Sequence, residues 1–184
     1  MEEIIIKKVT LIKDLEIISY LGKKTFKDTF EHETTKEEMD SYLNEAFSLD
    51  KLQKEFENHN SIFFISYFND IPVGYAKINL KKKPNIIKEA TEDLSALDLE
   101  KFVELQRIYI LKDYQGKKIA HIFMDYLINL VKNSNFKYFW LGVSDRNIRA
   151  VKFYSKYDFY TIGKHIFKIA DKEDIDLIMI KNFL

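Results

Sequence analysis

The chain has 184 residues, 46% hydrophobic and 15% aromatic, enough for one well-packed domain and short for two. Lys plus Arg and Asp plus Glu each total 29, so no excess of charge points to nucleic acid or an anionic membrane as partner. Cysteine is absent, which excludes disulfides, thiolate metal sites and a cysteine nucleophile, and none of the histidines has a partner at metal-ligand spacing. The amino end, residues 1–8, is too short and too acidic to read as a signal peptide, and no apolar run reaches membrane-spanning length. A cytoplasmic protein is the expectation. In chain order, residues 4–10 read as a strand, followed by helical segments within 13–30 and 36–57 with mixed charge on their outer faces. Segments 62–68 and 73–80 flank the turn-rich Asn69-Asp70-Ile71-Pro72 and suggest a hairpin. Residues 81–100 lack periodicity and read as a surface connection, with Lys81-Lys82-Lys83 as solvated charge. A strand at 103–111 leads to a helix in which Ile119, Ile122, Phe123, Tyr126, Leu127, Leu130 and Val131 share one face. A buried strand at 136–143, a helix from about 147, and segments 159–168 and 175–183 follow, the last two as a hairpin around Asp171-Lys172-Glu173-Asp174.

Chemistry first shows where the 103–111 strand passes through Lys112-Asp113-Tyr114 into Gln115-Gly116-Lys117-Lys118-Ile119-Ala120. A strand turning sharply into a helix offers unpaired backbone N–H groups to an anion, and the helix dipole adds to the attraction. A P-loop would need Gly-x-x-x-x-Gly-Lys-Ser/Thr and a dinucleotide fold Gly-x-Gly-x-x-Gly; neither is present. Read as Gln115-x-x-Lys118-x-Ala120, the loop resembles the acyl-CoA pyrophosphate loop Gln/Arg-x-x-Gly-x-Gly/Ala of the GNAT superfamily of N-acetyltransferases. Downstream, Asn147-x-x-Ala150-x-x-Phe153-Tyr154-x-Lys156-x-Asp158-Phe159 resembles the second signature of that superfamily. Lys118 and Asp158 stand at usual glycine positions; lysine at 118 is tolerable if its φ is negative, and Asp158 is expected to close its helix in the left-handed conformation. Thr25 to Phe30, Tyr42 to Phe47, Pro72 to Tyr75, Arg107 to Ile110, Leu141 to Val143, His165-x-Phe167 and Asp176 to Met179 are similar to the PaiA-type polyamine N-acetyltransferases, with Gln106 and Ser144 as departures.

The resemblance covers nearly the whole chain. It implies an α/β class, the GNAT acyl-CoA N-acyltransferase fold with a mixed central sheet flanked by helices, in a single domain over 1–184. It implies acetyl-CoA as cosubstrate, no metal, and a small amine as acceptor, with spermidine or spermine as the first expectation; it leaves monomer or homodimer open. A protein amine, an aminoglycoside-like amine, or a CoA-binding regulatory role without turnover are the rivals.

Acetyl transfer to an amine requires that CoA be held, the thioester carbonyl polarised, the amine made neutral and the leaving thiolate protonated. By resemblance, the backbone of Gln115, Gly116, Lys117, Lys118, Ile119 and Ala120 holds pyrophosphate, with the Lys118 ammonium either reaching a phosphate or left in solvent. Ile108, Tyr109 and Ile110 are expected to bind pantetheine through backbone groups on a strand edge opened by a bulge, the Ile110 N–H facing the acetyl carbonyl. Asn147, Ala150, Phe153 and Lys156 are further cofactor-side candidates, and Asn147 also suits a helix cap. Tyr154 shares a helix face with Asn147 and Ala150, and its phenol is protonated at neutral pH, so it is the candidate donor to the thiolate; filling the core is the alternative. Glu104 is the candidate base, at the position that resembles the base of histone-acetylating relatives, or else it binds the substrate cation while water carries the proton. Gln106 cannot titrate. Asp28, Glu31, Glu33, Glu37 and Glu38 either attract the acceptor's ammonium groups or are surface charge; Phe26, Phe30 and Tyr42 either line the acceptor cleft or pack helices. His165 and Phe167 are placed near the acceptor by resemblance, with a structural role as the alternative.

Overall fold

A computed structural model describes residues 3–32, 35–169 and 172–183. Seven strands form a sheet in the order β1-β2-β3-β4-β5-β7-β6: β1 (Ile4–Lys8), β2 (Ser61–Phe68), β3 (Ile71–Leu80), β4 (Phe102–Ile110), β5 (Tyr138–Ser144), β6 (Tyr160–Ile169) and β7 (Lys172–Asn182). The helices are α1 (Leu15–Phe30), α2 (Lys36–Ala46), α3 (Leu49–Glu57), α4 (Ile119–Asn133) and α5 (Ile148–Ser155). The chain packs as two compact units, one of Met1–Ile78 with Arg107–Leu127, the other of Asn79–Gln106 with Ile128–Leu184; β3, β4 and α4 each pass from one to the other.

In the first unit, β1 runs antiparallel to β2 from Ile4↔Phe68 to Lys8↔Phe64. The expected hairpin forms with a tighter turn than the sequence suggests, because Asn69 and Asp70 take φ of 48° and 64°, conformations these two residue types tolerate and two-residue hairpin turns require. α1 buries Leu15, Ile18, Leu21, Gly22, Thr25 and Phe26. Gly22 is required because a Cβ there would overlap the Phe47 ring. The 36–57 segment is two helices, divided at Phe47 and Ser48. Thr35 and Glu38 form a reciprocal capping box at α2, and Ser48 leaves helical geometry to accept from the Lys51 N–H at 3.2 Å, starting α3. The buried Phe47 side chain fixes that break, since a large apolar group removed from water stabilises by about 1.5–3 kcal/mol.

In the second unit, β4 lies parallel to β5, β5 antiparallel to β7, and β7 antiparallel to β6. The expected β6–β7 hairpin is present, and β7 begins at Lys172 rather than 175; Asp171 of the expected turn is outside the described residues. Residues 81–100 are more than a surface connection. Leu94 is buried in a core of Phe102, Trp140, Ile162, Ile178 and Ile180, and the Ile87 and Thr91 N–H groups donate to the Lys164 and Ile162 carbonyls. The segment lacks periodicity because it follows the β6 edge through isolated contacts rather than a ladder. On α4, Ile119, Phe123, Met124, Leu127 and Val131 are buried, whereas Ile122 and Tyr126, expected on the same face, are exposed: the stripe is narrower than the count of apolar residues implies. Among the described residues no helix is long and apolar enough to cross a membrane.

Candidate active site

In the first unit, the chain leaves β4 through Leu111, whose N–H donates to the Val73 carbonyl at 2.8 Å, and a single 3-10 turn, Lys112–Tyr114, delivers it to Gln115. Gln115 Nε2 donates back to the Ile110 carbonyl at 3.3 Å, which ties the loop to the strand end. Ile119 anchors the far side, buried with Phe68 and Val73 and flanked by Ile110 and Tyr114. Between these fixed points Gly116 takes φ 82° and Lys118 φ 62°, with Lys117 outside the left-handed region. The condition of negative φ at Lys118 is not met: the short span from the Gln115 tie to the Ile119 anchor imposes the glycine-like conformation on lysine. Alternating handedness along consecutive residues turns backbone N–H groups toward a common concavity, and the first turn of α4, whose first ladder bond runs from the Ile122 N–H to the Lys118 carbonyl at 3.1 Å, adds its own unsatisfied donors. A Cβ on Gly116 would meet nothing within 4 Å, so the approach is open there. Loop geometry, donors and open space fit a diphosphate. Lys117 sets its ammonium over the Phe68 ring, 5.0 Å from the centroid.

The β4 end is held from below. A Cβ on Gly74 would come within 2.7 Å of the Tyr109 carbonyl, so this close approach needs glycine. Tyr109 stacks on the buried Tyr75 at 5.9 Å, and Ile108 and Ile110 are half-buried. The parallel β4–β5 register runs Phe102↔Tyr138, Val103↔Phe139 and Glu104↔Trp140, and β4 continues to Ile110 beyond the last of these pairs.

The second unit holds the α5 candidates. Asn147 is the N-cap of α5, its Oδ1 accepting from the Ala150 N–H at 3.0 Å. The helix closes around Asp158 at φ 62°, with Phe159 N–H donating to the Tyr154 carbonyl at 3.3 Å and Asp158 N–H to the Ser155 carbonyl at 3.1 Å. That bond pair is a Schellman closure, so the left-handed reading of Asp158 holds; Lys181 Nζ meets its carboxylate at 3.0 Å. Tyr154 is half-buried, its ring edge-on to Phe153 at 5.4 Å and to Phe159 at 6.1 Å, which fixes the direction of its hydroxyl. Phe153 also touches Tyr157 at 5.3 Å, and Lys156 is exposed at the helix end.

Glu104 is buried and already engaged: its carboxylate accepts from the Asn79 side-chain amide and forms an ion pair with Lys82 Nζ at 2.7 Å. His165 sets Nδ1 3.0 Å from the Asn85 carbonyl; a carbonyl only accepts, so Nδ1 carries a proton. The Phe167 side chain lies outside the described residues. Of the acidic candidates, Asp28 pairs with Lys24 at 3.0 Å, Glu31 lies 3.8 Å from His32, Glu37 and Glu38 sit in the first turn of α2, where a helix favours negative charge, and Glu33 is outside the described residues. Phe26 stacks on Tyr42 at 4.4 Å and contacts Phe30 at 4.5 Å, so the three pack helix against helix.

One cluster has no counterpart in the sequence reading. Arg107 donates from both terminal nitrogens to Glu55, at 3.0 and 3.2 Å, and lies over the Phe47 ring at 5.3 Å. The buried Lys77 meets the same carboxylate at 2.9 Å. Burial alone would push the Glu55 carboxyl up, but Arg107 and Lys77 outweigh it and hold it below the ordinary range. Burial raises the Tyr42 and Tyr75 phenols beside this cluster. Among the described residues no group of acidic, histidine or cysteine side chains could hold a metal.

A turn like that after β4, leading from the end of a strand into a helix N-terminus, suits proteins that bind a ligand carrying a diphosphate. The chain belongs to the acetyltransferase (GNAT) family, whose model matches residues 24–159, and it is an acetyl-CoA-dependent N-acetyltransferase of that type. An uncharacterised N-acetyltransferase encoded in the pepI 3′ region of Lactobacillus delbrueckii subsp. lactis is 25% identical over 92% of each chain. The crystal structure of the PaiA N-acetyltransferase of Thermoplasma acidophilum in complex with coenzyme A superposes with TM-score 0.72 at 23% identity, covering 98% of this chain and 99% of that one. The ribosomal-protein-S18-alanine N-acetyltransferase of Escherichia coli gives TM-score 0.69 at 14% identity, with 98% of this chain and 94% of that one covered.

Proposed function

We propose that the chain, read as one domain over residues 1–184, transfers acetyl from acetyl-CoA directly to a primary amine of a small molecule, with a polyamine such as spermidine or spermine as first candidate. The observation that carries this reading is the Glu104 carboxylate, which already holds a primary alkylammonium, that of Lys82, at 2.7 Å. The site thus accommodates the chemical group an acceptor would present. In this reading the Gln115–Ala120 backbone binds pyrophosphate and the end of β4 binds pantetheine. Glu104 takes up the acceptor's ammonium and receives its proton, directly or through water, and Tyr154 gives a proton to the departing thiolate. An alkylammonium near pKa 10.4 is neutral in only about one molecule in a thousand at pH 7, so proton removal is a required step. The cytoplasm is the compartment that supplies both substrates.

The test is a panel of spermidine, spermine, a short monoamine, an aminoglycoside and a lysine peptide with acetyl-CoA, following thiol release and product mass. Preference for the polyamines is expected. Tyr154→Phe should lower turnover about ten- to a thousandfold while leaving acetyl-CoA affinity within a few-fold, as loss of a proton donor does. Turnover of the peptide alone would move the acceptor to a protein amine, and acetyl-CoA binding without thiol release on any amine would make the chain a regulatory CoA-binding module.

A further inference from the structure

We propose that Lys82 is itself an acetyl acceptor, so that the chain acetylates its own Lys82 from acetyl-CoA; this rests on the reading of Glu104 as the group that receives the acceptor amine. A general base must lie about 2.6–3.2 Å from the nitrogen whose proton it takes, and Lys82 Nζ lies 2.7 Å from the Glu104 carboxylate. The backbone holds it there. The Lys81 N–H donates to the Phe102 carbonyl at 2.7 Å, Lys81 takes φ 56°, and Trp140 Nε1 donates to the Lys82 carbonyl at 2.6 Å. With both sides of its peptide pinned, Lys82 has a fixed Cα and only its side-chain rotamers to vary.

Three consecutive lysines therefore face three different environments. Lys81 pairs with the exposed Glu100, and Lys83 donates to the Leu94 and Ser95 carbonyls at 3.0 and 3.2 Å. Lys82 alone of the three meets Glu104, whose side chain is 10% exposed while that of Lys82 is 46% exposed. A buried carboxylate holding a half-exposed ammonium presents that nitrogen as it would an external amine. In the transfer, one ammonium proton passes to Glu104 and on to solvent. The freed nitrogen attacks the acetyl carbonyl carbon, the C–N bond forms as the C–S bond breaks, and the second proton ends on the CoA sulfur. The products are CoA and a neutral N-acetyl-lysine, which no longer forms an ion pair with Glu104.

The test incubates the full chain with acetyl-CoA alone and follows acetylation by peptide mass spectrometry. Lys82 should be modified at least about tenfold faster than Lys81 and Lys83, which serve as internal controls for uncatalysed acetylation. Its fractional rate should be independent of protein concentration and should fall when a turned-over amine saturates the site. Glu104→Gln should slow Lys82 at least about tenfold and leave Lys81 and Lys83 unchanged, and Lys82→Arg should abolish the fast phase. Amine turnover with Lys82 no faster than its neighbours, or Lys82 labelling indifferent to Glu104→Gln, overturns the proposal while leaving amine acetylation standing. If acetyl-CoA binds and neither amine nor lysine is acetylated, the acetyl-transfer reading fails and takes this proposal with it.

Discussion

Arg107 and Lys77 both direct their charges at Glu55, and the fork geometry of Arg107 makes that contact two-pronged. Because the folded carboxyl ionises below its ordinary range, while in the unfolded chain it ionises near about 4.3, folding is favoured by its charge. The sign follows: this stabilisation is full above about pH 4.3 and is lost as pH falls through the lower, folded value. Glu55→Ala should destabilise by about 3 kcal/mol at pH 7, since it withdraws the anion from two buried or half-buried cations. In urea melts, the gap between variant and wild type should close as pH is lowered below about 4. A gap that persists unchanged to pH 3 would assign the loss to packing. Arg107 is legible in the sequence as part of Arg107-Ile108-Tyr109-Ile110, but Glu55 stands 52 residues away on α3. No local spacing announces a partner at that distance; a surface-looking glutamate becomes half-buried only when α3 docks.

The Gln115–Ala120 loop shows how an element can override its residues. Gly116 and Lys118 both take positive φ, yet only glycine does so without a Cβ penalty, which for other residues is about 1–2 kcal/mol. Lys118→Gly should therefore raise stability by up to about 1 kcal/mol, or about 2–4 °C in Tm for a chain this size. Gly116→Ala should lower it comparably, although nothing within 4 Å would touch the added methyl. Opposite shifts in thermal melts separate backbone strain from steric contact; a neutral Gly116→Ala would refute the strain account. Asp158 was readable where Lys118 was not, because aspartate is a residue type known to tolerate the left-handed region and lies at the end of a recognisable helix pattern. For lysine there is no such signal, and its conformation follows from the Gln115 tie and the Ile119 anchor. The α2–α3 division was hidden similarly, since mixed apolar spacing continues across Phe47 and Ser48 while the break depends on where Phe47 is buried.

Across the molecule, the 29 basic and 29 acidic residues cancel, so a charged ligand would be recognised by local charges rather than by a global field. The strand–helix–strand order from β4 to β5, visible in the sequence, accounts for their parallel pairing, since such a unit brings its strands side by side in one direction. Insertion of β7 between β5 and β6 was not readable, because a hairpin can join a sheet by either strand and the choice rests on packing of Ile178 and Ile180 with Phe102 and Trp140. Every proposed role depends on one property of the folded chain, that it binds CoA. A ligand that binds the native state and not the unfolded chain stabilises by RT ln(1 + [L]/Kd), about 2.7 kcal/mol at a hundredfold excess over Kd. For a chain of this length that corresponds to a rise of about 5–10 °C in Tm. Acetyl-CoA and CoA should both produce it in a thermal titration, because the diphosphate that the loop and α4 are proposed to hold is common to the two. Spermidine alone should produce less, having no diphosphate to engage that loop. A cooperatively melting protein whose transition moves with neither acetyl-CoA nor CoA would remove the ground from the cofactor roles assigned to Gln115–Ala120 and to the end of β4, whatever its activity on amines.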